Sequence, residues 1–262
     1  MDAMAIRLIR HCGLRSILGM GLCTIPLLAQ TEMPAPSAIA TAIADPARPA
    51  ADTAFDGNRK PAALIAFAGI GPRDRVADLM PGGGYFTRIF SKLVGRRGHV
   101  YAIVPTPFAE AKPERLAPIR ALVAGSAYSN VTLAVRPFRS IAVAKPLDAV
   151  WTSQNYHDVY GAAGANEAAA LDAAVFAALK PGGVYLVIDH AAQPGSGGRD
   201  AKTLHRIDPA TVVEQARTAG FVLEARSDVL ANPQDGHTAA VFAPEIEGRT
   251  DKFVLKFRKP RA

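Results

Sequence analysis

Polar and titratable side chains recur in this chain just after short apolar runs. Asp78 nears the end of "RVADLM" and is followed by Pro81, Gly82, Gly83, Gly84 and Tyr85. Ser153, Gln154, Asn155, Tyr156, His157 and Asp158 follow "LDAVWT". Asp189 and His190 close "GGVYLVIDH", and His205, Arg206 and Asp208 arrive on the next loop. Consecutive glycines let backbone approach a ligand closely, and a helix starting there adds its positive dipole end. The same glycines also serve as a plain strand-to-helix turn. Imidazole next to carboxylate, as in His157-Asp158 and Asp189-His190, suits proton transfer near neutral pH. Such neighbours also occur as hydrogen-bonded structural pairs.

Several chemistries are disfavoured by what is missing. A phosphate loop places lysine and a hydroxyl directly after its glycines, and "GGGYFT" has neither adjacent. A dinucleotide loop needs a third glycine where Thr87 stands. No Gly-x-Ser-x-Gly elbow marks a serine hydrolase. An ion held by His157, His190, His205 and an aspartate is conceivable, but no His-x-x-x-His spacing supports it, and no metal is expected.

The elements that must position these residues follow from periodicity. "RVADLM", "GHVYAIV", "NVTLAVR", "LDAVWTS" and "GGVYLVID" read as strands separated by helical stretches. "PAALIAFAGI" begins with Pro61 and ends near Gly69. "YFTRIFSKLVG" aligns Phe86, Ile89, Phe90 and Leu93 on one side. "PERLAPIRALVAG" is helical with an interruption at Pro118, and "NEAAALDAAVFAALK" is a helix capped by Asn166. "DPATVVEQARTAG" has Asp208 as its cap and Pro209 at its first position. Two closing strands, "FVLEARSDVL" and "DKFVLKFRK", lack an intervening helix, so the last enters antiparallel. This predicts one α/β domain over 55–262, a doubly wound and mostly parallel sheet with an antiparallel last strand. Ligands of such sheets bind outside the carboxyl ends of the strands. Trp151, inside the fourth strand, belongs to the core.

The beginning of the chain reads differently. Arg7, Arg10 and Arg15 precede the apolar run "SILGMGLCTIPLLA", the pattern of a secretory signal peptide over 1–29. That run falls short of the roughly 20 apolar residues of a membrane span, so stable insertion after cleavage is not expected. Cleavage is expected near Ala29, with Ala38-Ile39-Ala40 as a second small-x-small site. Both cysteines, Cys12 and Cys23, lie in the leader, so the processed chain would carry neither disulfide nor zinc-thiolate site. Losing Arg7, Arg10, Arg15 and Asp2 lowers the net charge from +7 to +5. Residues 30–54, rich in Ala and Pro, read as a flexible leader. The positive residues are scattered, which argues against a nucleic-acid footprint. Export to the periplasm or the medium is the expected localisation.

Taken together, "ADLMPGGGYFTRIF", "VGRRGHVYAI", "NYHD", "LKPGGVYLVID", "DHA", "HRID" and "TDKFVLKFRKP" resemble the class I S-adenosylmethionine-dependent methyltransferases. Within them they resemble an exported bacterial group described only as predicted methyltransferases. The likeness runs from about Pro61 to Pro260. It implies a Rossmann-like seven-stranded sheet of order 3-2-1-4-5-7-6, with S-adenosylmethionine as cofactor and an unknown methyl acceptor. It also implies cofactor contacts from Asp78, Met80, Pro81, Gly82, Gly83, Gly84, Tyr85, Val104 and Asn155. His157, Asp158 and Tyr156 would be catalytic, with His157 or Asp158 as base, and Asp189, His190 and His205 would face the acceptor. Three positions depart from the family pattern. Met80 replaces the first loop glycine, Val104 stands where an acid holds the ribose hydroxyls, and Arg136-Pro137 follow strand three where an acid is common. The rival reading is a non-catalytic module of the same fold, binding a nucleoside-like ligand or a protein partner outside the cytoplasm.

Overall fold

A computed structural model of the chain describes residues 36–261, so the signal-peptide reading over 1–29 lies outside the described residues. Seven strands form one sheet: β1 (Arg75–Leu79), β2 (His99–Pro105), β3 (Val131–Arg136), β4 (Leu147–Ser153), β5 (Leu179–His190), β6 (Val222–Ser227) and β7 (Lys252–Arg258). Their order is β3-β2-β1-β4-β5-β7-β6. The first five pair in parallel, and β7 runs antiparallel between β5 and β6. Chain order reverses between β1 and β4, the switch point at which doubly wound sheets open a crevice.

The helices are α1 (Pro36–Ile43), α2 (Ala50–Thr53), α3 (Asp56–Arg59), α4 (Pro61–Ala68), α5 (Tyr85–Val94), α6 (Thr106–Ala111), α7 (Ala117–Ala124), α8 (Tyr156–Ala163), α9 (Ala165–Ala178) and α10 (Pro209–Thr218). Pro61 occupies the first turn of α4, where its missing N–H costs nothing, and Gly69 closes that helix at φ 78°. The stripe Phe86, Ile89, Phe90, Leu93 is buried. Its aromatic members pack on Trp151, with ring centroids 4.6 Å (Phe86) and 5.1 Å (Phe90) away. On the other face of the sheet a second core gathers Tyr156, Val159, Leu171, Val175 and Tyr185.

The helical stretch over 113–124 breaks at Pro118 as expected, into a 3₁₀ turn (Pro113–Leu116) and α7, with Pro118 in the first turn of α7. Two local expectations are corrected. Asn166 is not the cap of α9, which starts at Ala165 after Gly164 with no side-chain cap bond. Residues 36–54 are not a loose leader. Ile39 and Ala42 of α1 are buried in the core with Leu64, Phe90 and Leu93. Cleavage at Ala38-Ile39-Ala40 would cut through this packed helix. Arg48 then makes a two-pronged ion pair with Asp56, at 2.9 and 2.6 Å, and the Tyr85 hydroxyl donates to Asp56 at 2.5 Å. Arg88 reaches back to Asp52 at 2.9 Å and to the Gly83 carbonyl at 2.7 Å. The segment is thereby latched over the start of α5. The i, i+3, i+4 spacing of Ile39, Ala42 and Ile43 carried this signal, hidden among small residues.

The second core contains one buried carboxyl, Asp172. Its oxygens lie 2.8 Å from the Tyr156 hydroxyl and 3.1 Å from that of Tyr185. Burial raises its pKa to about 7, against the lowering effect of both hydroxyls. The folded state therefore holds this proton between about pH 4 and 7 while the unfolded chain releases it. The contribution of Asp172 to stability is fully present at the acid end and is lost as pH rises through about 7. Asp172→Asn, with no proton to release, is expected to flatten the fall in melting temperature between pH 5 and 8. An unchanged slope would contradict the assignment.

Candidate functional site

The carboxyl ends of β1, β2, β4 and β5 open onto a cavity of about 1010 Å³. Of the residues singled out above, Met80, Pro81, Gly82, Gly83, Tyr85, Val104, Asn155, His157, Asp158, His190 and His205 line it. So do Asp52, Phe55 and Arg59 from the latched segment, which sequence reading had set aside as leader or unremarked. Phe55 and Phe242 line the cavity while remaining 51% and 65% exposed.

The turn after β1 is built around left-handed backbone. Gly82 and Gly84 have φ 56° and 88°, and Met80 has φ 51°. Met80 thus takes a conformation more usual for glycine, at a cost of about 1–2 kcal/mol for an L side chain. Its own N–H donates to the Ile103 carbonyl at 2.7 Å, and Asn155 braces its other side. The Asn155 amide donates to the carbonyls of Leu79 and Met80, both at 3.2 Å, while its oxygen accepts from Thr152. Gln154 and His205 also line the cavity with left-handed backbone, at φ 60° and 55°. Strained residues of this kind concentrate at ligand sites because the surrounding structure must over-determine them.

The glycines divide by function. A Cβ added to Gly83 would meet nothing within 4 Å, whereas one on Gly84 would stand 2.7 Å from Leu122 Cδ1. Gly84 is required by packing and by its φ; Gly83 faces open space beside the cavity. Asp78 does not line the cavity. Its carboxyl is buried under the turn and accepts from the Thr87 hydroxyl at 2.6 Å. Burial pushes it up to about 7, against Thr87 and the field of Arg59. Arg59 lies over the Tyr85 ring, 4.5 Å from its centroid.

At the other end of the cavity the fully buried Asp189 holds the His157 ring and the His190 backbone. It accepts the backbone N–H of His157 and of His190, and His157 Nδ1 lies 2.7 Å from its Oδ1. His157 Nε2 lies 3.4 Å from Asp158, which also lies 3.4 Å from His205 Nδ1. Burial opposes charge on His157, but Asp189 and Asp158 outweigh it and raise the pKa to about 10. Both carboxylates thus favour the protonated ring. Burial lowers His190 to about 3, so that ring is neutral, with Nδ1 2.7 Å from the Thr250 hydroxyl.

Tyr156 is a further correction. It does not line the cavity; its side chain is buried in the second core on Asp172 and Gln215. Helix α8 begins at Tyr156, and the turn of the helix sends it inward while His157 and Asp158 stay at the cavity. Arg206 is likewise structural. Fully buried, it pairs with Asp235 at 2.8 and 3.1 Å and donates to the carbonyls of Ala191 and Ala239.

Comparison with solved structures decides what this frame is. A SAM-dependent methyltransferase from Aquifex aeolicus superposes with a TM-score of 0.56 at 16% identity, covering 86% of this chain and 98% of that one. The chain has the class I S-adenosylmethionine-dependent methyltransferase fold. The arsenic(III) S-adenosylmethionine methyltransferase CrArsM from Chlamydomonas reinhardtii matches with a TM-score of 0.55 at 19% identity, over 87% of this chain and 74% of that one. The [4+2]-cyclase SpnF matches with 0.58 at 17% identity, over 78% and 81%. No protein-family model and no curated protein matches the chain.

Because Asn155 holds the methyltransferase-like turn against β4, Asn155→Ala is expected to leave two carbonyls without their donor. The loss of stability should be about 1–3 kcal/mol, read as a shift of the urea midpoint. A change within error would show that the brace is dispensable.

Proposed function

We propose that this chain is an S-adenosylmethionine-dependent methyltransferase whose cavity holds the cofactor along the β1 turn and the acceptor at the imidazole end. The observation that carries the reading is the turn itself. Met80 holds a left-handed backbone there without being glycine, and strain of this kind is kept where a ligand site needs the shape. The glycopeptide N-methyltransferase MtfA, solved with S-adenosylmethionine, supports the assignment through its shared fold, with a TM-score of 0.52 at 17% identity over 79% of this chain and 87% of that one.

The residues present fit such a cofactor. Gly82 and Gly83 leave their Cβ positions open, and the cavity volume is at the upper end of that of small-molecule sites. Arg59 offers a cation for the carboxylate of the methionine portion. Val104, Phe108, Leu116 and Ile119 supply an apolar wall for the nucleoside. The wall carries no acid at Val104, so the ribose hydroxyls lose a charge-assisted contact worth about 1.5–3 kcal/mol. That lowers affinity by about tenfold or more. When bound, the cofactor supplies an electrophilic methyl sulfonium. The chain's own part is to place the acceptor in line with it and to exclude water. Asp158, 42% exposed, is the carboxylate that reaches an acceptor. The acceptor itself is unassigned. The export reading rests on Arg7, Arg10 and Arg15 ahead of the apolar run.

Calorimetric titration of the full chain with S-adenosylmethionine and S-adenosylhomocysteine is expected to give saturable binding. No heat up to millimolar concentration would sink the reading. Gly83→Val has room to fold and a side chain aimed at the ligand. It should keep its melting temperature and lose binding by at least about a hundredfold, beyond the 2.7 kcal/mol that this ratio represents. Binding without transfer to any acceptor would favour the non-catalytic module, since a shared fold does not by itself carry an activity.

A further inference from the structure

His157, Asp158 and His205 come together at the acceptor end of the cavity, although 47 positions separate the last two in sequence. Each offers one ligand atom, and these lie within 4.8 Å of one another. We propose that these three side chains form a binding site for a divalent transition-metal ion, with its remaining position open to the cavity.

Distances favour it. His157 Nε2 and His205 Nδ1 both stand 3.4 Å from Asp158 Oδ1. Ligands held at about 2.1 Å around a tetrahedral ion are about 3.4 Å apart, so those two edges need little movement. Orientation favours it as well. His157 Nδ1 is already engaged by the buried Asp189 at 2.7 Å, leaving Nε2 toward Asp158 and the cavity, where a bound ion would displace the Nε2 proton. A carboxylate behind the imidazole is the usual arrangement for fixing the tautomer of a metal-bound histidine. The backbone of His205, at φ 55°, is strained to bring its ring there. Phe242 packs edge-on against that ring, with centroids 5.0 Å apart.

Two imidazoles and one carboxylate select a borderline ion, Zn²⁺ or a neighbour such as Co²⁺ or Fe²⁺, over Mg²⁺ or Ca²⁺, which take oxygen ligands. Three protein ligands leave a coordination position free, as in catalytic rather than structural metal sites. An oxygen or nitrogen of whatever occupies the cavity would fill it. The site requires no bound cofactor, and it stands or falls independently of methyl transfer.

The test uses the full chain, purified without a polyhistidine tag and stripped by a chelator. It is titrated with ZnCl₂ by calorimetry and with CoCl₂ by visible absorption. One ion per chain is expected, with Co²⁺ bands of the intensity that marks four or five ligands. His205→Ala and Asp158→Ala, both at partly exposed positions, should each weaken Zn²⁺ binding by at least about tenfold, the smallest loss seen even for outer partners. His99→Ala, at the amino end of β2, should leave it unchanged. A hydrogen-bonded network alone predicts no saturable binding of either ion. That result, or binding that survives both substitutions, overturns the proposal.

Discussion

One side-chain amide joins the two halves of the sheet where their chain order reverses. Asn155 sits just past β4, yet it donates to the carbonyls that end β1 and begin the glycine turn. A buried carbonyl without a donor costs as much as a lost hydrogen bond, so this contact fixes the turn relative to β4. From that joint the cavity extends in two directions. Toward β2 it has the glycines and an apolar wall; toward β5 it has His157, held by Asp189, with His190 and His205. Helix α8 starts one residue after Asn155, which brings His157 and Asp158 in beside that joint.

The cover over the cavity is a second consequence of pairing charges. Asp52 and Asp56 are held by Arg88 and Arg48, and Asp56 also accepts from Tyr85. Tyr85 and Arg88 lie in the first turn of α5, directly after the glycines. A segment that looks featureless in composition thus becomes a wall of the site, contributing Phe55 and Arg59. Breaking such a pair would leave the buried Arg48 charge without its partner, which costs far more than losing an exposed ion pair.

Much of the fold was legible in the chain. Alternating strand and helix periods, two final strands with no helix between them and the family resemblance led to the observed strand order. Trp151 was readable as core, and Asp208 as a cap, which the Ala210 N–H confirms at 2.9 Å. The site was legible at the level of the strand ends: eleven of the fifteen residues singled out line the cavity. Asp78, Tyr156 and Asp189 do not, because burial or helix phase turns their side chains into the protein, and Gly84 is packed against Leu122. Arg59 escaped notice because no local pattern distinguishes it from any solvated arginine.

What the sequence by itself determined is the set of elements and the chemistry at their ends. Those follow from local preference, from periodic burial and from residue type, and none of them needs a partner distant in the chain. Only the tertiary structure decided how those groups act. Charge on His157 depends on a carboxylate 32 positions away, and the backbone at Met80 is held by β2 and β4. The meeting of His157 and Asp158 with His205 depends on where the loop after β5 returns. Electrostatics and coordination act through space over a few ångströms, and spacing along a chain does not record which distant residues will share those few ångströms.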